Sequence, residues 1–213
     1  MSITLTDPGA PNLEFERPAA GARLERTAAA LASRGFLAHI ADSAEEARRL
    51  VIEAIPHGAE VHVALSETMR ELGITAEIDQ SGRYDSVRSQ LNALDRATQA
   101  RQMAKLGAAP DYIVGSAHAV TDAGEIIVGS GSGSQLGAYA YAAGHVTLAI
   151  GHQKLVPDLG EGLRRVREYS LPREHARMQS AGRSGSMLTK TLIIHSDPTS
   201  RITVILVPET FGF

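Results

Sequence analysis

Apolar positions along the 213-residue chain recur with two periods, and the switches between them outline alternating helices and strands. The Ala-rich stretch 19–33 reads as a helix that stops before Gly35, where a left-handed cap is expected. Residues 36–40 (FLAHI) follow as a short apolar strand. Either Asp42 or Ser43 can cap the next helix: Glu46 stands three residues after Ser43, the spacing of a capping box, and Ala47, Leu50, Val51 and Ala54 share one apolar face. Residues 60–65 (EVHVAL) are a second strand, Ser66 and Glu67 open a helix running to Gly73, and 90–106 reads as one longer helix before Gly107 and Pro110. This order is the signature of a parallel sheet covered by helices.

The second half is richer in strands. Segments 111–115 (DYIVG), 118–121 (HAVT) and 125–129 (EIIVG) qualify, and Asp122-Ala123-Gly124 makes a tight turn between the last two, so a hairpin is expected and the sheet is expected to be mixed. A short helix at 135–143, a strand at 145–150 (HVTLAI), a helix at 158–169, a second basic helix after Pro172 and terminal strands at 191–195 and 202–207 complete the pattern. The expected architecture is a three-layer α/β fold with a mostly parallel sheet and a hairpin in its second half. Residues 1–17, with Pro8, Pro11 and the adjacent Pro18 and no periodicity, read as a flexible arm; 18–213 read as a single domain without a linker.

Composition narrows the function classes. With 43% hydrophobic residues but only 4% aromatics and no Trp, the core must come mainly from Ala, Val, Ile and Leu, which suits helices packed on a buried sheet. A net charge of −3, with 21 basic and 24 acidic residues interspersed, leaves no stripe for a phosphate backbone, so no nucleic-acid partner is expected. The absence of cysteine removes disulfides, thiolate metal sites, iron–sulfur ligation and a cysteine nucleophile. None of the eight histidines pairs at HxH or HxxxH spacing, and no metal or cofactor is expected. The N-terminal residues show neither the basic start nor the apolar run of a secretory signal, and no apolar window is long enough for a membrane span; a cytoplasmic protein without membrane attachment is the expectation.

The conspicuous local feature is Gly129-Ser130-Gly131-Ser132-Gly133-Ser134-Gln135, lying between an apolar strand and a helix start. Backbone N–H groups and the positive end of a helix dipole converge in such a loop, and glycine lets a ligand approach the backbone closely, so phosphate or carboxylate is the expected guest. A flexible surface turn is the alternative. Neither the dinucleotide pattern, the phosphate-loop pattern nor the nucleophile elbow can be laid over these residues.

Three side chains are candidates for chemistry. His118 and Thr121 lie on the strand that the hairpin turn sets beside the one leading into the loop, so Thr121 joins the ligand-binding candidates and His118 could act as donor or general acid, a structural histidine being the alternative. Lys154 follows strand 145–150, where parallel strands deliver ligand groups to the sheet edge, unless it is an exposed loop lysine. Glu209, just past the last strand, is a further carboxylate candidate. Arg164, Arg165, Arg167, Arg173 and Arg177 alternate with Glu161, Glu168 and Glu174 and read as solvated helix faces, with a ligand role for one of them at most.

From Val114 onward the sequence resembles the LUD-domain family, named for lactate utilization. The segments that carry this are VGSAHAVTDAGEIIV, GSGSGSQLGAYAYAAGHV, IGHQKLVPDLGEGLRRVREYSLPREHARM and the ending RITVILVPETFGF. The resemblance implies the fold shared by sugar-phosphate isomerases and coenzyme A transferases, with a ligand site at the strand ends. It also implies a part in oxidation of L-lactate beside iron–sulfur partner subunits, which would hold the redox groups that a chain without cysteine lacks. Two functions are therefore expected. One is a non-redox component of organic-acid metabolism that binds a small anionic metabolite or a partner; the other is an isomerase or acyl/CoA-transferase-like enzyme acting on a phosphorylated or CoA-linked molecule. The Ala/Tyr-rich helix after the loop fits either the core or a homo-oligomer interface.

Overall fold

A computed structural model describes residues 6–213, so the first five residues of the expected arm lie outside the described residues. The parallel sheet expected from the alternation consists of β1 (Leu37–Ile40), β10 (Ile202–Val207), β7 (His145–Gly151), β4 (Tyr112–Gly115), β2 (Glu60–Val63) and β3 (Asp85–Ser86), in that spatial order. Every neighbouring pair in it is parallel. Successive residues of a strand point to opposite faces, and β10 shows the result. Val204 and Leu206 enter one core with Leu31, Ile113, Val146 and Leu148. Ile205 and Val207 enter the other with Val51, Val63, Met69 and Ile78.

The second core lies under α2 (Ala44–Glu53), α3 (Glu67–Glu71) and α4 (Ile74–Gln80). The first is covered by α1 (Gly21–Ser33) together with a second, four-stranded sheet of β8 (Leu155–Val156), β5 (Ala119–Thr121), β6 (Ile126–Ser130) and β9 (Lys190–Ile194). The expected hairpin is β5–β6, but it belongs to this second sheet and leaves the central one wholly parallel. Chain length explains the difference: only residues 116–118 separate β4 from β5. A parallel crossover needs a dozen or more residues, so β5 cannot return to the central sheet as a parallel strand and leaves its plane instead.

Local signals account for most helix boundaries. Ser43 accepts the Glu46 N–H at 3.2 Å and the Glu46 carboxylate accepts the Asp42 N–H at 2.7 Å, so both candidate caps take part in one box. Ser43→Ala is expected to cost about 1 kcal/mol, measured by urea unfolding. The helix expected over 90–106 is two helices, α5 (Val87–Asn92) and α6 (Ala100–Ala108). Asp95 breaks it: its carboxylate accepts the Ala97 N–H and the Thr98 hydroxyl, at 2.9 and 2.8 Å, an alternative to the helical ladder.

The two helices expected around Pro172 run together as α7 (Leu159–Arg165), a π-helical stretch Val166–Ser170 and α8 (Leu171–Ser180). Proline has no N–H for the carbonyl four residues before it, which here is Glu168. That carbonyl instead accepts the Asn12 N–H at 2.8 Å. Within the segment expected to be a flexible arm, Leu13–Glu16 forms a 3-10 turn against this helix, with the Tyr169 hydroxyl donating to Glu16 at 3.1 Å and Arg173 pairing with Glu16 at 3.2 Å. Among the described residues no helix is long and apolar enough to cross a membrane.

Candidate functional site

In an open parallel sheet, ligand groups gather beyond the carboxyl ends of the strands. Four strands deliver polar side chains there: β2 leads to Thr68 in α3, β4 to Ser116, β7 to Gln153 and Lys154, and β10 to Glu209. Lys154 closes a 3-10 turn, His152–Lys154, and points inward. It is only 1% exposed, and its Nζ donates to Thr68 Oγ1 at 2.9 Å and lies within hydrogen-bond distance of Ser116 Oγ, at 3.1 Å. Burial, helped by the Arg165 charge and opposed by Glu71, pulls its pKa well below the usual lysine range. The exposed-lysine alternative is thereby excluded.

Arg165, at the end of α7, is fully buried and faces the same region. Its guanidinium lies 4.9 Å from the Tyr169 ring centre and donates to Gln153 O and Ser170 Oγ, each at 3.3 Å, and to His118 O. Its Nη2 has no hydrogen-bond partner. Among the described residues neither Lys154 nor Arg165 has a carboxylate within ion-pair distance. A buried guanidinium and a buried amine thus stand together without a carboxylate partner among the described residues.

His118, just before β5, is partly buried, and its Nδ1 accepts the Gly129 N–H at 3.1 Å. Burial, then the charges of Lys154 and Arg165, push its pKa down to about 3. The ring is therefore neutral near pH 7, and an accepting Nδ1 leaves the proton on Nε2 as a donor. Beside it is a cavity of about 50 Å³ lined by His118, Ser130, Gly131, Ser170, Glu174 and Met187 among others. A cavity of this size holds a water or two, or part of a small anion.

The Gly/Ser loop meets this cavity only through Gly129, Ser130 and Gly131. Its other polar atoms largely satisfy one another. Ser130 Oγ accepts the Gly133 N–H at 2.8 Å and donates to Gln135 Oε1 at 3.2 Å, and the exposed Ser132 and Ser134 hydroxyls pair at 3.1 Å. Two of the glycines have structural reasons: a Cβ on Gly129 would stand 2.7 Å from Val166 Cγ1, and Gly133 sits in the left-handed region at φ +81°. The helix expected after the loop is short, mostly a π-helical stretch, Ala138–Ala142. Thr121 sits at the far end of the hairpin, fully buried and bonded to Glu125, and is not brought to the loop. Glu209 is exposed and caps α2 by accepting the Ala44 N–H at 2.8 Å. It does not reach Lys154.

Several contributors escaped the reading of the sequence. In the sequence Arg165 reads as one of several solvated arginines, yet it shares a helix face with Gly162 and Tyr169, whereas Arg164 pairs outward with Glu161 and Glu168. That difference in helical phase was the available signal. Thr68, Ser116 and Ser170 carry no local signal. Nor does the terminal segment, whose Phe211 and Gly212 carbonyls accept from Gln153 Nε2 at 2.8 and 3.2 Å while the Gly212 N–H donates to Glu71 at 2.8 Å.

A family model described as the LUD domain matches residues 24–209. Among solved structures the chain is similar to a DUF162 family protein from Deinococcus radiodurans, with 15% identity and a TM-score of 0.53 over 89% of this chain and 99% of that one. That likeness shows a shared fold. No curated protein matches the sequence.

Proposed function

The chain belongs to the LUD-domain family, and on that premise we propose that it is a non-redox component of organic-acid metabolism that binds a small carboxylate at the carboxyl end of its parallel sheet. The observation that carries this reading is the buried Arg165 guanidinium, set beside the buried Lys154 amine and without a carboxylate partner among the described residues. Burying an uncompensated charge costs several kcal/mol, and an anionic guest offsets that cost. The Nε2–H of His118 and the rim formed by Ser130 and Gly131 are the groups available to such a guest, with the buried Arg165 guanidinium behind them on His118 O and Ser170 Oγ. The lactate-utilization association of the family supplies the candidate ligands, L-lactate and pyruvate, and assigns electron transfer to an iron–sulfur partner subunit.

Thermal unfolding with L-lactate, pyruvate, acetate, phosphate or chloride at matched ionic strength tests the reading. A ligand at a hundred times its Kd adds about 2.7 kcal/mol, so the binding carboxylate is expected to raise Tm by several degrees. Arg165→Met is expected to abolish the rise. No carboxylate exceeding the chloride control would sink the reading, as would efficient lactate oxidation by the purified chain alone.

A further inference from the structure

Ser116 and Lys154 differ in one respect that anion binding does not use. Ser116, at the end of β4, is partly exposed, whereas the amine 3.1 Å from its hydroxyl is sealed from solvent. Ser116, and not Lys154, is therefore the residue open to an incoming molecule. On its other side Nζ is held by Thr68 Oγ1 at 2.9 Å, so hydroxyl, amine and orienting group stand in the order of an activated nucleophile, its base and the group that aims the base. The groups facing Nζ are Thr68, Ser116, Arg165 and, farther off, Glu71, whose carboxylate is engaged by the Gly212 N–H.

We propose that Ser116 is a nucleophile activated by Lys154, and that it accepts an acyl group from a small ester or thioester. The Ser116 oxygen bonds to the acyl carbon as its proton passes to the unprotonated Lys154 amine. The carbon–oxygen or carbon–sulfur bond to the leaving group then breaks, and the departing alcohol or thiol takes that proton. Water attacks the acyl-serine with Lys154 again receiving the proton. The ester bond to Ser116 breaks, the proton returns to the Ser116 oxygen, and a carboxylic acid is released. Burial, which disfavours the charged form of the amine, supports its role as base.

A fluorophosphonate probe on the full chain, read by intact mass and peptide mapping, tests the proposal. The expected adduct is on Ser116, absent in Ser116→Ala and unaffected by Ser33→Ala, an exposed serine at the end of α1. Lys154→Met is expected to slow labelling by about a hundredfold, and Lys154→Arg equally, because arginine keeps the charge but cannot act as a base. Labelling should rise with pH about a midpoint below that of free lysine, and Thr68→Val should move that midpoint. p-Nitrophenyl acetate should leave an acetyl group on Ser116. Absence of the Ser116 adduct from about pH 7 to about pH 9, or labelling indifferent to Lys154→Arg, would overturn the proposal. Ser116→Ala should retain the carboxylate-dependent rise in Tm, so failure of the nucleophile and failure of anion binding are read separately.

Discussion

Acidification from pH 6.5 to about pH 4 is expected to cost the protein about 3 kcal/mol of stability through His118 alone. The ring has its ordinary pKa of 6.5 in the unfolded chain and one near 3 in the fold, so over this interval the unfolded chain binds a proton that the native state refuses. The His118 contribution is fully present above 6.5 and is lost as the pH falls towards 3. His118→Asn keeps an acceptor where Nδ1 takes the Gly129 N–H but has no proton to bind. Urea unfolding of both proteins across the interval isolates the term, because carboxylates with lowered pKa, such as Glu77 and Glu168, contribute to both and cancel. Parallel pH profiles for the two would refute the assignment. Lys154 acts at the alkaline end: its folded pKa is also lowered, so stability rises with pH between that value and 10.5.

Gly115→Ala is expected to destabilise the fold by about 3 kcal/mol, at the upper end of overpacking. A Cβ there would be driven into the hydroxyl of Tyr139, which is 1% exposed and has no room to retreat, and would lie 3.1 Å from Ala64 Cβ. Tyr139→Phe in the same chain removes the offending oxygen, leaving the nearest ring atom, Cζ, at 3.1 Å. The double variant should therefore recover most of the loss in denaturant titrations. If Tyr139→Phe brings no recovery, the clash is not the cause. The substitution also bears on the site, since Gly115 immediately precedes Ser116.

What the sequence made legible is what short range determines. The Ser43 cap, the Asp122-Ala123-Gly124 turn and the apolar strand at 202–207 are each specified by neighbouring residues, and each stands where expected. The placement of Lys154 at a strand end was legible for the same reason. Its burial was not, because it depends on Thr68 and Ser116, 86 and 38 residues away. The glycine loop was legible as a loop between strand and helix, but not the packing of its residues: Gly129 makes room for Val166 and Leu188, which local pattern cannot place. The helix expected over 90–106 fell to one aspartate whose local bonds outcompeted the helical periodicity.

The position of β1 has a consequence for how the chain acquires its structure. Among the described residues its only strand partner is β10, with Leu37 opposite Thr203 and Ile40 opposite Leu206, so an early strand waits for one of the last. β10 is also the sole bridge between β1 and β7. Until Ile202–Val207 leaves the ribosome, β1 keeps both edges open and has no link to β7, which β4 alone can hold. Parallel pairing across so long a loop makes closure slow, and the waiting edge is the point at which nascent chains are most open to mispairing with one another.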